Sequence, residues 1–287
     1  MPQCFFVSDL HGDQDRYRKL FRAIEEERPE AVFLGGDLLP SGLSASGGFH
    51  VQHRDFVNDF LAAEFQRGRE ALGRSYPRVL LILGNDDSRS QEAAILAAAA
   101  QGIWEYIHER QVRLGSFDVY GYGCVPPTPF LLKDWERYDV SRYVDPGCIS
   151  PEDGHRSVPV SDHQMKYATI QDDLVKLVKD QPLDGAIFLF HSPPYQSKLD
   201  RAALDGRTID HVPLDVHVGS IAIRRFIQQR GPRITLHGHV HESARLTGAW
   251  ADRIGATFCF SAAHDGTELA LVRFDPRAPE TATRTLI

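Results

Sequence analysis

Cysteine is scarce in this chain: its 287 residues hold four, Cys4, Cys124, Cys148 and Cys259, and no two of them form a CxxC pair. That spacing argues against a zinc ribbon or a disulfide framework and leads us to expect a reducing, cytoplasmic setting. No apolar stretch approaches the ~20 residues of a membrane span. No basic segment followed by an apolar core opens the chain, so no secretory leader is expected. Positive charge is not in surplus either. The formal net charge is −7 with histidines neutral, and long nucleic acid is therefore not an expected partner, because phosphate backbones are bound by basic faces. Divalent cations held by an acidic protein would reverse that sign locally and offer a positive pocket to a phosphate. The length suits one large domain or two small ones, and no repeat, low-complexity tract or linker divides it.

Short, continuously apolar runs are present: Phe5-Phe6-Val7, Ala31 to Leu34, Val79 to Leu83, Ala186 to Phe190, and Ile234-Thr235-Leu236. Runs without alternation predict strands buried on both faces. Helical stripes fall between them. Tyr17, Leu20, Phe21 and Ile24 have the i, i+3, i+4, i+7 spacing of a helix packed on a sheet. Ser88 with Gln91 predicts a capping box for the alanine-rich helix ending near Gly102. Tyr167, Ile170, Leu174, Leu177 and Val178 form another stripe, and Ser220 caps a helix carrying Ile223, Phe226 and Ile227 that Gly231-Pro232 stops. Strands alternating with helices predict an α/β domain. Trp104 to Tyr122 reads as short strands turning around Leu114-Gly115-Ser116, and Thr257 to Phe274 as a hairpin turning near Asp265-Gly266, which together suggest a second, mixed sheet. Residues 39–48, 125–162 and 192–218 read as long loops of the kind that shape substrate sites.

Chemistry gathers where the apolar runs end. The fragments are Asp9-Leu10-His11, Gly36-Asp37, Gly84-Asn85-Asp86, His191 and Gly238-His239-Val240-His241. Asp9 and His11, two apart, would share one face of a strand end. Asp37 follows a glycine pair that lets the chain turn sharply, and a carboxylate there can bridge two cations. Asn85 offers a neutral carbonyl oxygen, and His191, His239 and His241 offer imidazoles. Each fragment alone has an ordinary structural explanation, as a turn or a surface histidine. Together they make a mixed nitrogen and oxygen donor set that suits manganese, iron or zinc better than calcium.

In this order, DxH, GD, GN, H and GHxH, the fragments resemble the calcineurin-like metallophosphoesterase superfamily across residues 9–241. The resemblance implies a single domain over residues 1–287, a four-layer αββα sandwich of two mixed β-sheets flanked by helices. It implies two divalent metal ions, one on Asp9, His11, Asp37 and His241 and the other on Asp37, Asn85, His191 and His239, lowering the pKa of a bridging water. His191-Ser192-Pro193-Pro194-Tyr195, His217-Val218-Gly219-Ser220, Leu236 to Ser243 and Pro127-Thr128-Pro129-Phe130 are similar to a narrower bacterial and archaeal branch related to cyclic-nucleotide phosphodiesterases. Manganese is the expected metal, and a small phosphoester the expected partner.

One departure matters. Most of the superfamily reads Gly-Asn-His in the third motif, and this chain has Asp86. A carboxylic acid beside a dication is a poor proton donor at neutral pH, so Asp86 is expected to bond a water or a ligand histidine. The catalytic set implied is Asp37, Asn85, Asp86 and His239. Without the third-motif acid, activated leaving groups are expected to be favoured, and His50, His53, His155, His163 and His264 are candidates to supply a proton from a loop. His237 reads as packing or as support for a ligand. Tyr195 could stack on a base or merely cover the site, and His217 could contact substrate or cap the next helix. Arg224 and Arg225 read as a solvated helix face. Ser192 and Ser261 have no visible base, so serine nucleophilic catalysis is unsupported. A phosphodiesterase is the leading expectation. The rivals are a phosphomonoesterase, including a protein phosphatase, and a catalytically weak nucleotide sensor that keeps its metals.

Overall fold

A computed structural model describes residues 3–41 and 55–287. In chain order its principal elements are β1 (Cys4–Val7), α1 (Gln14–Glu27), β2 (Ala31–Gly35), α2 (Ala63–Leu72), β3 (Arg78–Ile82), α3 (Glu92–Ala100), β4 (Glu105–Tyr106), β5 (Arg110–Leu114) and β6 (Phe117–Tyr122). The second half supplies α4 (Asp162–Tyr167), α5 (Ile170–Val178), β7 (Ala186–Phe190), β8 (Thr208–Ile209), β9 (Val212–Pro213), α6 (Ile221–Arg230), β10 (Ile234–His237), α7 (Ser243–Thr247), β11 (Ala251–Ile254), β12 (Thr257–Ser261), β13 (Ala270–Phe274) and β14 (Thr283–Leu286). One six-stranded sheet runs β14-β13-β1-β2-β3-β4 and the other β11-β12-β10-β7-β6-β5. Both are mixed: β1, β2, β3 and β4 pair in parallel, as do β6, β7, β10 and β12, with antiparallel neighbours outside them.

The apolar runs lack alternation because each strand has two dry faces. Phe6, Phe33, Leu80 and Ile82 point between the sheets, where they join Ile187, Leu189, Leu236 and Phe260. Their neighbours Phe5, Val7, Val32, Leu34 and Leu81 point outward, into a core shared with the helix residues Tyr17, Leu20 and Ile24. Phe188 and Phe190 do the same on the second sheet, packing edge-on against Phe226 of α6. Two sheets covered by helices on their outer faces make the expected sandwich.

Several local expectations hold. Tyr17, Leu20 and Ile24 are buried on α1, whose cap Asp13 accepts from the Asp15 and Arg16 amides. Ser220 caps α6 and Gly231 closes it in the left-handed region. Leu114 to Phe117 turns the β5–β6 hairpin. Others are corrected. Ser88 makes no capping bond; a 3-10 turn at Arg89–Gln91 precedes α3, and the Ser88 hydroxyl bonds Ser90 instead. Tyr167 does not share a helix with Ile170, because Thr169 caps α5 afresh and leaves Tyr167 exposed at the end of α4. Thr257 to Phe274 is not a hairpin: β12 pairs with β10 and β11, while β13 pairs with β1 and β14, so this segment crosses from one sheet to the other.

Most of the 39–48 loop lies outside the described residues. The 125–162 segment is a built loop. Its Lys133 and Glu136 side chains are fully buried against each other, with Nζ 2.5 Å from Oε2, and the Thr128 amide and hydroxyl also donate to Glu136. Trp135 stands edge-on to His108, with ring centroids 4.9 Å apart.

His108 titrates against the fold. Burial, with the charges of Arg137, Arg89 and Arg110, pushes it down to about 3, while its Nδ1 accepts from the Gly123 amide. The unfolded chain protonates this imidazole near its ordinary value of about 6.5 and the folded one does not, so stability falls as pH drops through the window from about 6.5 to about 3. In urea titrations across that window, His108→Asn keeps an acceptor for Gly123 and is expected to remove up to about 1.4 kcal/mol per pH unit of the slope. An unchanged slope would show that His108 is not a source of the acid sensitivity.

Candidate metal centre

The strands of the two sheets end together. β1, β2 and β3 run parallel, so the residues beyond their C-terminal ends, Asp9, Asp37 and Asn85, share one edge. His191 directly follows β7, and His239 and His241 follow β10, at the matching edge of the other sheet. Ligand sites in α/β sheets sit at such carboxyl ends. Ligand atoms of Asp9, His11, Asp37 and His241 all lie within 4.8 Å of one another, and so do those of Asp37, His191 and His239. Asp37 belongs to both groups. Asn85 joins the second, with Oδ1 3.1 Å from His191 Nε2.

Asp9 and His11 do not meet through strand alternation. β1 stops at Val7, and Asp9 and His11 take φ of 56° and 45°. Asp37 and His239 are also left-handed, at 53° and 74°. Four of these residues thus sit in a region that side chains with a Cβ avoid, and such strain gathers at functional sites. The loops are held by their backbones: the Asp9 amide donates to Gly36, the His11 amide to Asp37 and the Gly238 amide to His191.

Two imidazoles have a fixed tautomer. His191 Nδ1 donates to the Gly35 carbonyl at 2.8 Å, which leaves Nε2, 3.2 Å from Asp37, as the nitrogen a metal would take. His11 Nδ1 lies 3.0 Å from Asp86 Oδ2, so its Nε2 turns inward, 3.2 Å from His241 Nε2. Asp86 therefore supports His11. The backbone of His239 is fixed as well, its amide donating to Asp9 Oδ1 at 2.9 Å. Ser8 adds a hydroxyl to Asp9 Oδ2.

The electrostatics ask for a cation. Asp9 and Asp37 are both buried. Burial alone would raise their pKa values, yet the neighbouring imidazoles hold Asp9 far below the usual carboxylate range and Asp37 at about 2. The carboxylates act back. Burial opposes charge on His11 and His191, but the bond to Asp86 with the charges of Asp37 and Asp9, and for His191 the charge of Asp37 foremost, raise each to about 9. Burial and the charge of His191 push His239 down to about 3. A divalent cation supplies the same positive charge with every imidazole neutral, and the mixed donors suit manganese, iron or zinc.

Sequence reasoning missed Asp87. It is fully buried, and its carboxylate accepts from the Leu38, Leu39 and Gly84 amides, tying the loop after β2 to the loop after β3. Trp135 Nε1 donates to its carbonyl. The signal available was a carboxylate directly after a motif that needs none. Arg16 was missed too; it donates to the Asp9 carbonyl. His237 is packing: it stacks on Phe190 and bonds Ser192 and Thr235. Of the loop histidines, His50 and His53 lie outside the described residues. His155 is exposed on its loop, His163 meets Tyr167 and His264 pairs with Glu268. Arg225 is exposed on α6, while Arg224 is half-buried and donates to the Gln196 carbonyl, and Ser192 and Ser261 bond backbone groups.

A layered α/β fold with a two-part donor set on one shared carboxylate defines a dinuclear type of metal site. The chain belongs to the calcineurin-like phosphoesterase family, whose sequence model matches residues 4–243, and by class it is a metal-dependent phosphoester hydrolase. Among curated proteins, none matches the chain. One solved structure superposes at a TM-score of 0.60, with 15% identity over 99% of this chain and 98% of its own. TT1561 of Thermus thermophilus superposes at 0.54, with 15% identity over 99% of this chain and 98% of its own. Likeness at this identity establishes the fold alone. A dimetal phosphatase from Danio rerio, at a TM-score of 0.49 and 12% identity over 94% of this chain and 91% of its own, is too distant to bear on the reading.

Crowding makes a sharp test. A Cβ on Gly84 would lie 2.4 Å from Asp37 Oδ1 and 2.6 Å from His191 Nε2. Gly84→Ala is expected to weaken manganese binding at least ~10-fold, read as metal bound per chain by elemental analysis, with far-ultraviolet circular dichroism unchanged. Parental metal content in the variant would mean that Asp37 and His191 do not depend on this close approach.

Proposed function

We propose that this protein is a phosphodiesterase with two divalent metal ions, manganese foremost, one on Asp9, His11, Asp37 and His241 and the other on Asp37, Asn85, His191 and His239. The observation that carries the reading is Asp37, the one carboxylate among the described residues that belongs to both donor groups. When bound, the ions supply an activated water nucleophile and positive charge against the phosphate oxygens. The residues do the rest. Asp37 and Asn85 set the donor geometry, His239 and His191 close the second group, and Asp86 orients His11.

Asp86 also favours diesters. Its carboxylate is 27% exposed beside His11, where an arriving phosphate would feel it. A monoester carries up to two negative charges there and a diester one, so the repulsion is larger for the monoester. The likeness of the His191–Tyr195 and Leu236–Ser243 segments to the phosphodiesterase-related branch supports the same choice. A small or nucleotide-like substrate fits an acidic protein better than long nucleic acid. Among the described residues no helix is long and apolar enough to cross a membrane. We propose one domain over residues 1–287, in the cytoplasm.

The deciding assay compares bis-p-nitrophenyl phosphate with p-nitrophenyl phosphate on manganese-loaded protein, with metal counted in the same sample. Turnover should need metal, favour the diester, and fall ~100-fold or more in Asn85→Ala. A faster monoester would make this a phosphomonoesterase or protein phosphatase. Two bound metals without turnover above Asn85→Ala would make it a nucleotide or phosphate sensor.

A further inference from the structure

With Asp86 committed to His11, the third motif has no proton to give the oxygen that leaves phosphorus. A second carboxylate–imidazole pair lies between His191 and α6. Asp200 is fully buried. It accepts from the Gln196 amide at 2.8 Å, the Ser197 amide at 2.9 Å, the Gly219 amide at 3.2 Å and His217 Nδ1 at 2.9 Å. Three amides fix the carboxylate, and the carboxylate fixes the ring. A carboxylate on Nδ1–H sets the tautomer and orientation of an imidazole. The other end is open: the His217 side chain is 29% exposed, and among the described residues no group hydrogen-bonds its Nε2. Tyr195 stands edge-on to the ring with centroids 6.1 Å apart, and its hydroxyl donates to Asp215, which also accepts the His217 amide.

This pair is built into the loops that carry the metal-binding imidazoles. The Ser220 amide donates to the Pro193 carbonyl and the Tyr195 amide to the Ser220 carbonyl, so residues 217–220 lie against the chain as it leaves His191. His217 bridges antiparallel to Arg201. The Arg201 amide in turn donates to Ser243 Oγ and the Ala203 amide to Glu242, both just past His241. Such a frame would hold an imidazole at the rim of the site without making it a metal ligand.

We propose that His217, oriented by Asp200, is the proton donor to the leaving group, an inference that rests on the phosphodiesterase reading. A water oxygen forms its bond to phosphorus, releasing its surplus proton to solvent, and the ester P–O bond breaks, its electron pair passing to the departing oxygen. That oxygen takes the proton from His217 Nε2, and the neutral imidazole regains a proton from solvent. Asp200 remains a carboxylate throughout and is a positioning residue. Activated leaving groups are then not specially favoured by the parent protein; they become so only when His217 is lost.

The test uses zinc-loaded full-length protein and bis-aryl phosphates with leaving groups from nitrophenol to phenol. His217→Asn should slow the phenyl ester ~10²–10⁴-fold and the nitrophenyl ester by no more than about threefold, with zinc content and melting temperature unchanged. Asp200→Asn should follow the same pattern more weakly if it folds. Independently of turnover, ¹⁵N–¹H correlation spectra of histidine-labelled protein should show the His217 Nε2 resonance, assigned by its absence in His217→Asn, moving when inorganic phosphate is added. Equal slowing of both esters, or a resonance indifferent to phosphate, would overturn the proposal. If the parent cleaves no ester at all, the phosphodiesterase reading has failed, and the phosphate response alone decides whether His217 faces the site.

Discussion

Two carboxylates buried at one spot, Asp9 and Asp37, set the terms for everything around them. A buried charge is tolerated only with partners, and here the partners come from every side. His191 and His241 approach through Nε2, the His239 and Asp86 amides donate to Asp9 and Asp37, and Ser8 donates to Asp9. The imidazoles that approach are pulled toward their charged forms, His11 and His191 to about 9. A fold does not assemble such a cluster for stability, because apolar residues of the same volume would cost less. The arrangement makes sense as a receptacle for positive charge.

Backbone strain follows from the same demand. Bringing donors from five loops within ligand distance leaves no room for ordinary turns, so Asp9, His11, Asp37 and His239 adopt positive φ. Gly36 and Gly84 press against His191. The loops can hold these conformations because they hang from rigid strands. Phe6, Phe33, Leu80, Leu189 and Leu236 lock the sheets face to face a few residues away. Asp87 gathers three amides from the neighbouring loops into one carboxylate. Preorganisation of this kind spares the reacting state the work of ordering its own donors.

The parts of this design legible in the sequence were those that depend on residue type and order. Strands buried on both faces announce themselves as unbroken apolar runs, and the donor residues stand directly after them. Helix ends with a strong local cause were legible too, as with Ser220 and Gly231. What depended on distant partners was not. Whether Thr257 to Phe274 closes a hairpin is decided by which sheet offers an open edge to β13, and β1 does. Ser88 looked like a cap, but the Gln91 amide goes to the Ser88 carbonyl in a 3-10 turn and the Ser88 hydroxyl bonds Ser90. A bond from Asp86 to a water or a ligand histidine was legible from its place in the third motif, whereas the choice of His11 depends on how the loops meet. Asp200 and His217 are seventeen residues apart in sequence, and nothing local pairs them.

The 125–162 and 192–218 segments are tied to the site by hydrogen bonds. Asp139, from the 125–162 segment, accepts from the Ser220 hydroxyl and from the Ile221 and Ala222 amides, clamping the start of α6. Ser220 is three residues beyond His217 and lies against Pro193, two residues beyond His191. On the other side, Trp135 and Asp134 of the same segment hold Asp87 and Arg89, just past Asn85. One loop thus braces both the third-motif residues and the strip that carries His217. A lid would need a hinge and few buried bonds; this loop has a buried ion pair and anchors at both ends. Its geometry is that of a fixed brace between the third-motif residues and the start of α6.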